Sequence, residues 1–147
     1  MRITTDHILD VWRIEPTLTY CGFEASPRPA MRKALLDHLG EVQLCADWLA
    51  AQEIALRITG RHYTSYFLKH AIEWANGDRI YVSNGAFLAA VVILGIPYRP
   101  LPSGSPNAVV AVQFKRRNRR LHGARGEYWS SYAEFRPLIE EAQREQV

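Results

Sequence analysis

The side chains best equipped for chemistry in this chain lie between Lys115 and Gly126, where the sequence reads KRRNRRLHGARG. One lysine and five arginines fall in twelve residues without an acid. Residues 1–114 carry ten basic and ten acidic side chains and cancel, while residues 127–147 carry two arginines against five glutamates. The net charge of +3 therefore originates in this one stretch. Five guanidinium groups without local carboxylates cannot be buried, so the segment either stays in water or meets phosphate or carboxylate. Guanidinium forks bind phosphate oxygens bidentately, which suits any nucleic acid. The expected contacts are Lys115, Arg116, Arg117, Arg119, Arg120 and Arg125. Trp129 and Tyr132, beside Tyr128, offer stacking surfaces for unpaired bases. The competing expectation is a charge run that is only solvated, or one neutralised by the glutamates that follow it.

Two smaller constellations come next. His70 and Glu73 are three residues apart and meet on one helix face, with Lys69 beside them. The pair suits a general base with its orienting carboxylate, or two metal ligands for which His62 is the nearest third. The structural alternative is a helix-surface ion pair. Ser83-Asn84-Gly85 opens an apolar helix, and its free N–H groups, with Arg79 upstream, make an anion site physically feasible. Ordinary capping is the competing account, with Gly85 admitting a close neighbour. No phosphate loop, dinucleotide fingerprint, nucleophile elbow or HExxH helix is present. Cys21 and Cys45 lack basic or histidine neighbours in sequence and read as two reduced, buried thiols. No catalytic residue, metal or cofactor is expected.

The elements that must carry these residues follow from periodicity and caps. Thr5 or Asp6 caps a short helix through Ile14, with a strand at MRITTD as the alternative. Residues 16–29 hold three prolines and the apolar patch 18–23, an irregular connection or edge strand. Helices are expected at 30–39, 41–59, 65–75 and 84–94, with Gly40 as a stop or bend, Asn76-Gly77 as a stop, and Gly95 and Pro97 ending the last. The segment 86–94 has no polar side chain on any face, which places that helix at the centre of the core. The same property argues against a helix-turn-helix reading, because a recognition helix must offer polar groups to base edges. Residues 108–115 alternate as a strand, with 96–101 as first candidate partner and 18–23 as second. The expected fold is α+β, mainly α: a four-helix core around the buried helix 84–94 and one small β-sheet including 108–115. A charged helical tail occupies 137–147.

At 147 residues, 48% hydrophobic and 22% charged, the chain has the size and composition of one globular domain. Its longest apolar run, nine residues at 86–94, is too short for a bilayer span of about 20 residues. The N-terminal stretch carries Asp6 and Asp10 and lacks a secretory apolar region, so a cytoplasmic protein is expected. The string SYFLKHAIEWANGDRIYVSNGAFLAAVVILGIPY, with SPNAVVAVQF after it, resembles small proteins of bacterial plasmids and integrative elements, over about a third of the chain. The resemblance implies an accessory role in a mobile genetic element and no particular chemistry. The expected function is thus non-enzymatic nucleic-acid binding, DNA or RNA, through the arginine-rich loop. The alternative is a protein-interaction module or inhibitor whose basic loop meets an acidic surface of a host complex. An enzyme using His70 and Glu73 on a phosphorylated substrate is the third possibility. The aromatic load near the ends, Trp12, Tyr128, Trp129 and Tyr132, suggests a homodimer that covers it.

Overall fold

The computed structural model of the protein describes residues 1–58, 62–77 and 79–113. Thr4 opens the first helix, α1 (Thr5–Ile14), and its N–H donates to His7 Nδ1 at 2.9 Å. Ile8 and Val11 form the buried face of α1. The apolar patch that follows is a tight hairpin of β1 (Leu18–Thr19) and β2 (Gly22–Phe23), with Leu18 opposite Phe23. Pro29 sits in the first turn of α2 (Pro29–Asp37), where its missing N–H has no intrahelical partner to lose. The break between α2 and α3 (Leu39–Ala50) falls at His38, and Gly40, expected as a stop or bend, lies inside α3. The helix expected to reach residue 59 ends at Ala50. Gln52 Nε2 donates to Trp48 O at 3.0 Å and the chain turns into β3 (Glu53–Ile54). Ile54 there finds a strand partner, which stabilises a β-branched residue better than a further helical turn does.

The next two helices keep the boundaries that their caps predict. Thr64 Oγ1 accepts from Phe67 N–H at 3.3 Å to start α4 (Ser65–Ala75), and Gly77 follows with φ +71. Ser83 Oγ accepts from Ala86 N–H at 2.9 Å to start α5 (Asn84–Ile93). Every residue of α5 from Asn84 to Val91 is buried. It packs against α1, α3, α4 and both strands of the hairpin, while α2 packs chiefly on β1 and α1. The four-helix core is therefore corrected. Five helices are present among the described residues, and α1 takes a place at the centre that α2 does not. One buried cluster runs from Ile3 to Val112.

The strand region corrects the second part of the expectation, a single sheet through 108–115. β4 (Tyr98–Pro100) pairs antiparallel with β5 (Ala108–Val110), with Tyr98 opposite Val110. β6 (Val112–Gln113) pairs instead with β3, with Ile54 opposite Val112. Ala111 is the changeover: its N–H donates to Pro97 O at 3.0 Å and its carbonyl accepts from Ala55 N–H at 2.9 Å. The prolines at 97, 100 and 102 explain the division, because they deny 96–101 a continuous donor row and limit it to three paired residues. Phe114 and Lys115, the rest of the expected strand, lie outside the described residues. Among the described residues, no helix is long and apolar enough to cross a membrane.

Candidate functional site

Lys69, His70 and Glu73 share one face of α4, as their spacing requires. The face is not on the surface. Lys69 is 5% and Glu73 9% exposed, so the expected surface ion pair is a buried one. Glu73 Oε1 lies 2.7 Å from His70 Nδ1, and since a carboxylate only accepts, that ring nitrogen carries the proton. Glu73 Oε2 accepts from Val82 N–H at 3.1 Å and sits 3.5 Å from Lys69 Nζ. The ammonium group also lies 4.6 Å from the ring centre of Tyr81 and 5.5 Å from that of Tyr66. Tyr66 in turn meets the His70 ring edge-on, with centres 4.6 Å apart. A buried cation is thus shared between one carboxylate and two aromatic faces.

A second carboxylate completes the cluster from α3. Glu41 accepts the Tyr20 hydroxyl at 2.8 and 3.0 Å through its two oxygens, and Ser83 N–H at 2.9 Å. Burial, and then the hydrogen bond and charge of Glu41, push the Tyr20 hydroxyl above its ordinary value of 10.0. Tyr81, though largely exposed, is raised as well, by partial desolvation first and then by the charges of Glu73 and Glu41. His38 packs on Tyr20 with ring centres 4.6 Å apart. Both carboxylates spend their lone pairs on protein donors, which fixes α3, α4, the hairpin and the start of α5 in one arrangement. Nothing in residues 20, 41, 66 or 81 signalled this cluster beforehand. Glu41 read as one acid on a polar helix face, and its partners are 21 and 42 residues away.

At the start of α5, donors considered for an anion site are engaged within the chain. Ser83 N–H goes to Glu41, Gly85 N–H to Tyr20 O at 3.0 Å, and Ala86 N–H to Ser83 Oγ. Asn84 Nδ2 donates to Pro106 O at 2.9 Å and Cys21 O at 3.3 Å. Gly85 is there for space, because an added Cβ would collide with the backbone of Thr19 and Tyr20. Arg79 is exposed on the connection leading into α5.

The cysteines differ from the expectation of two buried thiols. Cys45 is buried, and burial followed by the charges of Glu41 and Glu73 raises its thiol far above the ordinary range. Cys21 is exposed, with its sulfur 3.5 Å from Met31 Sδ and 3.7 Å from Arg28 Nη2. Trp12 is not left at the surface for a partner. Its indole N–H donates to Leu18 O at 2.9 Å, and the Arg32 guanidinium lies 4.4 Å over its ring. The basic segment 115–126, with Tyr128, Trp129, Tyr132 and the tail 137–147, lies outside the described residues. Among the described residues, no group of three or more His, Cys, Asp and Glu side chains converges as a metal site would. The chain matches no protein-family model, no curated protein and no solved structure.

Proposed function

We propose that the chain is a non-enzymatic accessory protein of a bacterial mobile element, acting in the cytoplasm, that binds nucleic acid through Lys115, Arg116, Arg117, Arg119, Arg120 and Arg125. One observation carries the reading. The whole net charge of the molecule is concentrated in twelve residues that contain no acid. The surrounding chemistry supports it by contrast. Arg13 pairs with Asp10 at 3.1 Å, Arg28 with Glu24 at 2.6 Å, and Lys33 with Asp37 at 2.9 Å. Local pairing of this kind is impossible inside KRRNRRLHGARG, so those cations favour an external polyanion. The chain leaves β6 two residues before this stretch begins.

A titration of a fluorescent oligonucleotide at several salt concentrations tests the reading. Each neutralised phosphate releases counterion, so log K should fall with log salt at a slope of about −3 to −5. Charge reversal of Arg116 and Arg117 should abolish binding. A flat salt response, or a partner captured from lysate that survives nuclease, would replace nucleic acid by an acidic protein surface. A homodimer would set two basic segments in fixed relation and raise affinity by avidity, and sedimentation equilibrium reads it directly.

A further inference from the structure

We infer that Tyr66 and Tyr81 form a stacking platform for the unpaired bases of a single strand, so that the nucleic acid bound is single-stranded rather than duplex. This inference rests on the nucleic-acid reading above. Tyr66 and Tyr81 are 53% and 61% exposed, although the Lys69 ammonium group lies over both rings, 5.5 and 4.6 Å from their centres. Two tyrosines held over one buried cation are positioned without being consumed by the core. The support beneath them is rigid. Lys69 is tied to Glu73, Glu73 to Val82 N–H and His70, and the connection carrying Tyr81 is held again at Ser83 N–H by Glu41. A rigid aromatic pair with open surface presents stacking area at little entropic cost, and every base has a π-face to lay against it. The flanking residues complete the surface: Arg79 is exposed and Ile80 is 41% exposed.

The basic segment follows β6 in the chain, and β5, just before it, lies beside α4. Val110 N–H donates to Tyr63 O at 3.1 Å and Ala108 N–H to Ser65 Oγ at 3.1 Å, so β5 abuts the first turn of α4, where Tyr66 lies. From Val110 to Lys115 is five residues, at most about 18 Å of chain, and the twelve-residue stretch with its six basic side chains has a contour of up to about 40 Å more. On this proposal one strand places phosphates on the arginines and bases on the tyrosines. Duplex DNA offers no such partner. Its bases are already stacked, and α5, the helix that a helix-turn-helix reading would put in a groove, is buried from Asn84 to Val91.

The test is fluorescence anisotropy with an oligothymidylate of about 20 nucleotides and with a duplex of the same length. Wild type should bind the single strand more tightly. Tyr66→Ala and Tyr81→Ala should each weaken that binding about 5- to 100-fold, Tyr66→Phe and Tyr81→Phe should restore it, and the salt slope should stay unchanged throughout. Thermal melts establish that the alanine variants remain folded, which the exposure of both rings leads us to expect. Should both alanine variants bind as wild type does, or should duplex and single strand bind equally, the platform is overturned while the arginine reading stands. Should no oligonucleotide bind with a salt-dependent affinity, the arginine reading itself falls, and the platform with it.

Discussion

Glu41 and Glu73, on different helices, grip neighbouring peptide groups: Glu73 accepts the N–H of Val82 at 3.1 Å and Glu41 accepts that of Ser83 at 2.9 Å. The connection into α5 is therefore held by side chains where regular structure is missing. A buried N–H would otherwise go unsatisfied at each position.

The two members of the Lys69–Glu73 pair are unequal. Replacing Glu73 by alanine strands a buried ammonium group and the Val82 N–H together, and should cost about 3–5 kcal/mol. Lys69→Met leaves the carboxylate with His70 and Val82 as donors, so it should cost less. Urea denaturation of the two variants reads the order directly, and equal losses would refute the asymmetry.

Stability should decline in alkali. Cys45, Tyr20, Tyr63 and Tyr98 all have their acidities weakened in the folded state, burial being the largest cause at each. A group that holds its proton more tightly when folded gives its full stabilisation below its ordinary value, here 9.0 for the thiol and 10.0 for the phenols. That stabilisation is lost as pH climbs past those values toward the raised ones. The urea midpoint should thus be level between pH 7 and 8 and fall from about pH 9 upward. Tyr98→Phe, which removes the phenol donating to Glu15, should make the fall shallower.

Gly85 tolerates no side chain. A methyl group there meets main-chain atoms of Thr19 and Tyr20, which cannot rotate away. Gly85→Ala should cost about 3 kcal/mol and lower the melting temperature by about 6–12 °C. A melt within two degrees of wild type, about the error of a scan, would mean that the hairpin is not seated on α5 as described.

Position along α5 should grade the damage of a charge. Leu88 is wholly buried, whereas Val92 is only partly buried and lines a groove of about 150 Å³ with His7, Asp10, Val11 and Ile14. Leu88→Asp should unfold the chain, because no partner is within reach of the carboxylate. Val92→Asp should leave a folded protein of lowered stability, measurable by circular dichroism.

How far the sequence foretold the molecule depends on whether a signal is local. Thr64, Ser83, Gly77 and Gly95 mark the ends of α4 and α5 within a turn of where they act, and those helices were legible. The end of α3 was not, because β3 exists only through its pairing with β6, Glu53 with Gln113 and Ile54 with Val112, the latter across 58 residues. The candidate cluster divides the same way. Lys69, His70 and Glu73 share a face by their spacing, but their burial is imposed by Tyr20, Glu41 and the connection before α5, which arrive from elsewhere in the chain. The arginine-rich segment was visible as composition, and composition names a class of partner rather than a geometry.

Asn84 reaches with one amide to Cys21 O and to Pro106 O, 63 and 22 residues away. Closing the longer loop costs about 1 kcal/mol more chain entropy than closing the shorter. The order of assembly follows from that inequality. α5 should recruit the strand region on its C-terminal side first, and the β1–β2 hairpin should dock onto a helix that already has most of its neighbours. Amide hydrogens of the hairpin should then exchange through a smaller opening than those of Leu88 or Ala89, the first part of the molecule to come loose and the last to lock.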